Sequence, residues 1–203
     1  MLSRSLLGFT TLKIIEKILN TNSEIGKVIL REYTYPAMPV GTGPAVGDSL
    51  STLSARNISR NKKLEARIKN LCDNRNIGIE SKVVVDSRVM HIPMMDFAVI
   101  KSESNLNKIV KLWKKLIIPE FGGGVIIETD NSYHFIGTKR LLSNSELEKY
   151  LAWSMLCVTG SPKKLKTYVD VQYVAYSLLK KSMCLRITAY PKSKFNPHVI
   201  LEI

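Results

Sequence analysis

The sequence predicts an α+β domain in which helices flank a mainly antiparallel sheet, with a helical extension at the N-terminus. Short β-branched segments alternate along the chain with longer segments of helical periodicity, and turn-forming residues join neighbouring strands. The 203 residues are enough to bury a full hydrophobic core. Because 45% of them are apolar and 23% are charged, the composition excludes a disordered chain and a fibrous protein.

Residues 1–60 predict an N-terminal appendage made of a helix, a short strand and a loop. Apolar residues recur at helical spacing over 12–19, and segment 27–35 alternates as a strand does. Segment 35–47 holds three prolines and three glycines, a composition that prevents regular structure. We therefore expect the main folded domain to comprise residues 61–203.

The elements expected in residues 61–203 follow from periodicity and from turn formers. Apolar residues recur at helical spacing from 105 to 117, and Pro119 with a triple glycine then ends that helix. Asp130 and Asn131 form a turn pair between two apolar segments, which predicts a β-hairpin. In order, we expect helix 61–73, strands 82–86 and 89–100, helix 105–117, strands 125–129 and 133–136, helices 147–157 and 170–180, and strands 183–189 and 199–203.

Polar caps predict where the two later helices begin. Ser143 and Glu146 have the spacing of a capping box, and Asp170 is a good N-cap for the next helix. β-branched and apolar residues favour strands at 82–86 and 89–100, which a tight turn would join.

The chain is strongly basic, with 30 Lys and Arg residues against 17 Asp and Glu, a net charge of +13 and a pI near 9.7. Residues 139–194 alone hold eleven basic residues and three acidic ones. We therefore expect a polyanionic partner, nucleic acid before an anionic membrane surface. No run of about 18 apolar residues occurs, so we expect no spanning helix and no membrane partner.

The three cysteines, Cys72, Cys157 and Cys184, are widely spaced and form no Cys-x-x-Cys pair. They predict neither a disulfide framework nor a zinc finger. Reduced, buried thiols indicate a cytoplasmic protein, or a viral or mobile-element protein in the cytoplasm or nucleus of a host.

The first candidate functional segment is His91-Ile-Pro-Met-Met-Asp96-Phe-Ala98. Asp96 lies in an otherwise apolar strand, where an isolated buried carboxylate is costly unless it is paired, hydrogen-bonded or metal-bound. Asp96 is therefore the candidate metal ligand and catalytic carboxylate. The alternative is an aspartate at a strand end, where it is solvated or caps a turn.

The second segment contains Ser132 and His134. Residues two apart on a strand point to one face, so both side chains are placed to donate hydrogen bonds to phosphate oxygens. Lys139 and Arg140 follow and add positive charge for the same phosphate. The alternative is a polar strand face with a histidine of no special role.

The third segment places Arg186 on a strand with Lys192 and Lys194 beyond it, a combination that suits a triphosphate or a backbone phosphate. The alternative is an edge-strand arginine in a surface ion pair. A separate lysine cluster after Gly160-Ser-Pro162 predicts a loop that contacts a nucleic-acid backbone. Its members are Lys163, Lys164 and Lys166.

In this order the segments resemble the catalytic module of the archaeo-eukaryotic primase superfamily, the primase-polymerases. That module carries Asp-x-Asp on one strand, Ser-x-His on a later strand and a hydrophobic-Asp pair on a third. Asp96 stands in the first place, Ser132 and His134 in the second, and Arg186 in the third. The resemblance covers roughly residues 80–190. It implies an RRM-like core, nucleotidyl transfer with two Mg²⁺ or Mn²⁺ ions, and catalytic roles for Asp96 and His134.

The sequence departs from that pattern at its carboxylates. Ala98 or Met94 replaces one member of the Asp-x-Asp pair, and Arg186 occupies the third acidic position. Glu128 and Asp130 lie close enough in sequence to compensate. The chain thus resembles a divergent, single-aspartate primase-like member, in which fold and phosphate recognition transfer better than polymerase activity.

Three functions remain open at this level. The first is a domain that binds nucleoside triphosphate and nucleic acid. It would be a DNA primase or nucleotidyltransferase with a degenerate metal site, and its primer synthesis in replication would be weak or lost. The second is a catalytically inactive module that binds single-stranded nucleic acid and partners a helicase or polymerase. The third is a protein whose basic face meets an acidic protein. For the first two we expect Asp96, Ser132, His134 and Arg186 to line one open face of one sheet.

Overall fold

The computed structural model describes residues 7–22, 24–25, 27–34, 49–54, 58, 61–70, 75–161, 164–187 and 197–203. They form the α+β fold that the sequence predicts, and none of their helices is long and apolar enough to cross a membrane. The helices are α1 (Thr11–Thr21), α2 (Lys62–Lys69), α3 (Glu103–Leu116), α4 (Ile118–Phe121), α5 (Asn144–Ser154) and α6 (Val171–Lys180). The strands are β1 (Lys27–Thr34), β2 (Ser49–Ser54), β3 (Arg75–Glu80), β4 (Lys82–Val85), β5 (Arg88–His91), β6 (Met94–Phe97), β7 (Gly124–Glu128), β8 (Tyr133–Gly137), β9 (Val158–Thr159), β10 (Lys166–Thr167), β11 (Cys184–Arg186) and β12 (His198–Glu202).

The described strands form two four-stranded sheets and two separate hairpins. Sheet I has the order β11-β3-β1-β2, sheet II has the order β12-β7-β8-β6, and the hairpins are β4–β5 and β9–β10. Every strand pair is antiparallel. The edge strands β11 and β6 are neighbours. The two sheets therefore meet along these edges.

Sheet II is built around the predicted hairpin, which the structure forms from β7 and β8. The apolar residues of β7 are fully buried on both faces, which explains their unbroken run in the sequence. Helix α3 covers one face through Trp113, whose ring lies 5.0 Å from that of Phe97 and 5.4 Å from that of Phe135, measured between centroids. The opposite face carries Asp96 and His134 beside the buried apolar side chains of Met94 and Ile136.

The predicted strand 89–100 is two strands, because the chain changes partners at Ile92 and Pro93. β5 pairs with β4, whereas β6 pairs with β8 in sheet II. Pro93 has no N–H for a ladder, and its carbonyl accepts a hydrogen bond from the Gly137 N–H at 2.8 Å. Helix α3 also begins two residues earlier than expected, because the Ser102 hydroxyl caps it.

His91, which opens the first candidate segment, has a structural position. Its Nδ1 lies 3.2 Å from the Ser81 hydroxyl and its Nε2 lies 2.9 Å from Oδ1 of Asn144. Because an amide oxygen only accepts, Nε2 carries the proton and Nδ1 accepts from Ser81. Burial lowers the pKa of His91, which keeps the imidazole neutral in this network.

The described part of residues 1–60 is integrated into the fold. β1 lies inside sheet I between β3 and β2, and it buries Val28 and Leu30. Helix α1 contributes Ile14 and Ile15 to the same core. The reason is the apolar periodicity of both elements, which buries one face of each against the rest of the chain. The predicted loop 35–47 lies outside the described residues.

We expect Leu30→Ala to destabilise the whole protein, because its side chain is buried in β1 between two partner strands. The cost should be about 3 kcal/mol for a cavity of this kind. The thermal midpoint should fall by roughly 6–12 °C in a chain of this size. Calorimetry would measure it, with the exposed Lys27→Ala as the matched control. An unchanged main transition would mean that β1 is an appendage after all.

Candidate functional site

Asp96 and His134 lie directly opposite each other on β6 and β8. Opposed residues of an antiparallel pair share one face, and His134 Nε2 is 3.6 Å from Asp96 Oδ1. That distance is too long for a hydrogen bond. Burial, with the positive charge of Arg186, lowers the pKa of His134 to about 3. His134 is therefore neutral at physiological pH, and the two side chains do not form an ion pair.

His134 also carries a buried polar atom without a partner, one of seven such side-chain atoms in the described residues. Its side chain is only 6% exposed, and its Nδ1 is buried without a hydrogen bond. An unsatisfied buried nitrogen costs free energy, and native proteins rarely keep one without a reason. Of the seven atoms, it is the one carried by β6 or β8, where Asp96 lies opposite.

Asp96 is less enclosed, with 33% of its side chain exposed. The pKa of Asp96 is raised to about 7, mainly by burial and next by the negative charge of Asp170. The positive charge of Arg186 acts in the opposite direction. Asp170 is close because its N–H donates to the Asp96 carbonyl at 2.9 Å. Its own carboxylate caps α6 by accepting from two backbone N–H groups. The sequence indicated Asp170 only as a helix cap.

Ser132 precedes β8, and its hydroxyl donates to the carbonyl oxygen of Phe97 at the end of β6. Its N–H donates to the Thr129 hydroxyl at 3.2 Å. Ser132 thus fastens the loop between β7 and β8 to the strand that carries Asp96. Its proton is used within the protein, and only its oxygen lone pairs remain to meet a ligand.

Arg186 lies on β11, at the edge of sheet I, so the expectation that all four residues share one sheet is wrong. The edge strands β11 and β6 are neighbours, and Arg186 acts on the pKa of both Asp96 and His134. The site is therefore a junction between two sheet edges. We call this junction the cleft, defined by Asp96, His134, Asp170 and Arg186.

Across sheet I, Arg186 is in register with Gly78 of β3 and with Arg31 of β1 beyond it. A Cβ on Gly78 would lie 2.5 Å from Sγ of Cys184, so only glycine allows these strands to pack as they do. Arg31 pairs with the buried Glu80, which also accepts from the Ser182 hydroxyl. Sequence reasoning missed Arg31 and Glu80, because no motif contains them.

The cleft does not contain Glu128, Lys139 or Arg140, which lie at or beyond the ends of β7 and β8. Glu128 opposes Tyr133, which places it on the other face of sheet II from His134, and it pairs with Lys101 at 3.1 Å. Arg140 donates to the Glu120 carbonyl at 2.9 Å and pairs with Glu146. Lys139 is exposed nearby, beyond the far end of β8. The expectation that Glu128 compensates for the missing carboxylate is therefore wrong.

The predicted lysine cluster is only partly described. Lys164 and Lys166 are exposed on the β9–β10 hairpin, while Lys163, Lys192 and Lys194 lie outside the described residues. This hairpin leads into 168–170, a segment that runs beside β6 through the hydrogen bond from the Ala98 N–H to the Tyr168 carbonyl at 3.0 Å. The two lysines are thus attached directly to one wall of the cleft.

The donor set does not fit a pair of metal ions. Within the described ranges, no group of three or more His, Cys, Asp or Glu side chains is arranged to hold a metal. Asp170 uses an oxygen to cap α6, and Arg186 brings a positive charge to the remaining side. Two-metal chemistry requires several anionic ligands around ions roughly 3.5–4 Å apart.

One comparison with known proteins gives a match. A family model described as AEP-like, archaeo-eukaryotic primase 1D-like, matches residues 54–199, well over half of the chain. The match contains every residue of the cleft and leaves out α1 and β1. No curated protein and no solved structure matches the chain.

We expect Asp96→Asn to stabilise the protein more at pH 8 than at pH 5. The folded-state pKa of about 7 lies above the ordinary value of 3.8, so the charged carboxylate costs stability increasingly as the pH rises from about 4 through 7. Solvent reaches a third of the side chain and screens the effect, which should be on the order of 1 kcal/mol.

Urea unfolding at both pH values would measure this difference. Asp86→Asn, in the exposed turn between β4 and β5, is the matched control and should show no change in pH dependence. If Asp96→Asn raised the free energy of unfolding equally at both pH values, the result would contradict the raised pKa of Asp96.

Proposed function

The chain belongs to the archaeo-eukaryotic primase family, as a primase 1D-like member, and from that premise we propose that its cleft binds a nucleoside triphosphate beside a strand of nucleic acid. The observation that carries the proposal is the unpartnered, buried Nδ1 of His134 next to the positive charge of Arg186. Both are groups that recognise phosphate oxygens.

The two phosphate-binding groups have different chemistry. A neutral imidazole offers a single N–H, so His134 gives one directed hydrogen bond and no net charge. Arg186 keeps its charge at any physiological pH and presents several N–H donors in one plane. A phosphate between them would accept from the imidazole N–H and from the guanidinium. Lys192 and Lys194, which lie outside the described residues, follow Arg186 in the sequence and stay predicted phosphate ligands.

The same arrangement limits catalysis. Asp96 is the single carboxylate of the cleft that is not already capping a helix, so at most one Mg²⁺ or Mn²⁺ would enter, together with the triphosphate. A positive unit charge about 4 Å from a guanidinium has a repulsion energy of about 4 kcal/mol at an effective dielectric constant of 20. Arg186 would therefore take over part of the charge neutralisation of a second ion. We propose that polymerisation is weak or absent.

Nucleic acid would lie along the β9–β10 hairpin. Lys164 and Lys166 are exposed on it, and Lys166 Nζ lies 5.4 Å from the centroid of the Tyr168 ring. The ring of Tyr168 is buried, so this hairpin offers positive charge for the phosphate backbone and no stacking surface for a base. The chain would act in replication, in the cytoplasm or in the compartment where a virus or mobile element replicates.

A second function is favoured by the missing carboxylates. In it the same cleft is catalytically inactive and holds single-stranded nucleic acid for a helicase or polymerase. The two functions differ in whether labelled nucleotide is incorporated.

Titration with a nucleoside triphosphate tests the binding proposal. We expect His134→Ala and Arg186→Ala each to weaken affinity at least tenfold, because a hydrogen bond to a charged group is worth about 1.5–3 kcal/mol. Arg186→Lys should fall between, since it keeps the charge and loses the planar donors. Arg88→Ala, exposed on β5, is the control. Unchanged affinity in both cleft variants, with folding verified by circular dichroism, would refute the proposed site.

Primer extension in Mg²⁺ or Mn²⁺ tests the catalytic part. We expect incorporation to be slow in the natural protein and absent in Asp96→Asn, which keeps the shape of the side chain and removes its charge. Robust synthesis that survives Asp96→Asn would show that the metal site is elsewhere. Complete absence of incorporation, together with retained oligonucleotide binding, would select the inactive module.

A further inference from the structure

The outer face of α3 is a row of lysines. Ile109 and Trp113 on its inner face are buried against sheet II, while the exposed positions hold four lysines and a single carboxylate, Glu103. The lysines are Lys108, Lys111, Lys114 and Lys115. We propose that this face, together with a depression at its N-terminal end, binds the part of a single-stranded nucleic acid that extends beyond the cleft.

Helix stability does not account for this row. Lys114 and Lys115 lie in the last turn, where positive charge interacts favourably with the helix dipole. Lys108 and Lys111 lie in the middle, and Lys111 is one turn from Lys115, a like-charge spacing that destabilises a helix. No carboxylate stands four residues before or after Lys108 or Lys111. The excess charge therefore indicates an external anion.

The depression supplies the donors that a phosphodiester backbone requires. It is a shallow, open surface on one side of the helix, lined by Glu103, Ser104, Asn107, Lys108 and Lys111. A hydroxyl, an amide and two ammonium groups together donate to phosphate and sugar oxygens, which is how most nucleic-acid contacts are made. The combination is suited to a phosphate chain and does not distinguish bases.

Continuity with the cleft comes from the β9–β10 hairpin. Lys166 Nζ donates to Oδ1 of Asn105, in the first turn of α3, at 3.4 Å. Lys166 is also two residues from the segment that runs beside Asp96. The cleft and α3 lie on opposite sides of sheet II, so a strand that leaves the cleft would pass round the β6 edge over Lys166 to reach the depression. From Lys108 to Lys115 the helix rises by about 10 Å, so the row is long enough to contact more than one phosphate of a strand.

The composition of this face favours nucleic acid over an acidic protein. Every exposed position of α3 is polar or charged, and none of the exposed large apolar side chains of the described residues lies on this helix. Stable protein interfaces need a central apolar or aromatic anchor, whereas backbone binding of nucleic acid needs only distributed positive charge.

The test compares two variants of the full chain that lose the same charge. Lys108→Ala/Lys111→Ala removes the lysines of the depression, and Lys17→Ala/Lys27→Ala removes two exposed lysines of α1 and β1. The probes are fluorescent oligothymidylates of about 6 and about 24 nucleotides, which differ in whether they extend beyond a short cleft. Binding is measured across a series of salt concentrations, and a nucleoside triphosphate is titrated separately.

For the long probe we expect the α3 variant to reduce the salt slope by about 1.4 and the affinity at 0.1 M salt by about 25-fold, the values for two lost contacts to a single strand. Affinities for the short probe and the triphosphate should not change, and the α1 and β1 variant should match the natural protein. An unchanged salt slope for the α3 variant, or an equal loss in both variants, would overturn the inference.

A polyglutamate peptide of similar charge serves as the competing acidic-protein probe. The face is not a nucleic-acid site if the peptide binds the natural protein as tightly as the long oligonucleotide does and if the α3 variant weakens the binding of both probes by the same factor.

The inference extends the proposed function, because it takes nucleic acid as the ligand of the cleft. The two fail separately: His134→Ala reports on the cleft with triphosphate alone, whereas the α3 variant reports only on the longer strand.

Discussion

Asp96 and His134 are held side by side by the antiparallel register of β6 with β8, and the cleft depends on that pairing. Because side chains alternate between faces, a slip of β6 by one residue would turn Asp96 toward α3 and Phe97 away from the side on which Phe135 packs. The buried contacts of those two rings with Trp113 oppose such a slip. The aromatic packing on the α3 side of sheet II therefore fixes the positions of Asp96 and His134 on the other side.

Two features of this cleft reinforce each other energetically. Burial disfavours the charged forms of both Asp96 and His134, and Arg186 makes a protonated His134 still less favourable. The result is a site with a neutral imidazole, a weakly held carboxylate charge and one fixed guanidinium. Such a site favours an incoming anion over a second cation. This is the physical basis of the proposal that the chain keeps phosphate recognition while two-metal chemistry is weakened.

The sequence predicted what depends on local patterns and missed what depends on tertiary pairing. The hairpin β7–β8 and the cap of α6 at Asp170 follow from turn chemistry and local side chains, whereas the shared face of Asp96 and His134 was expected from the order of the family's motifs. The change of partner at Pro93 and the second sheet that carries Arg186 do not, because strand order is decided by contacts between distant segments. Asp170 was recognised as a cap and missed as a neighbour of Asp96 for the same reason.

The position of Arg186 also depends on a part of the chain that the family match leaves out. Edge strand β11 pairs with β3, and the other side of β3 pairs with β1, which precedes residue 54. Arg31 of β1 neutralises Glu80, which is buried on the same face as Arg186 and would otherwise be an uncompensated charge. Without β1, that charge and an open edge of β3 would both face solvent or another chain. The N-terminal strand therefore belongs to the support of the cleft, although no family motif includes it.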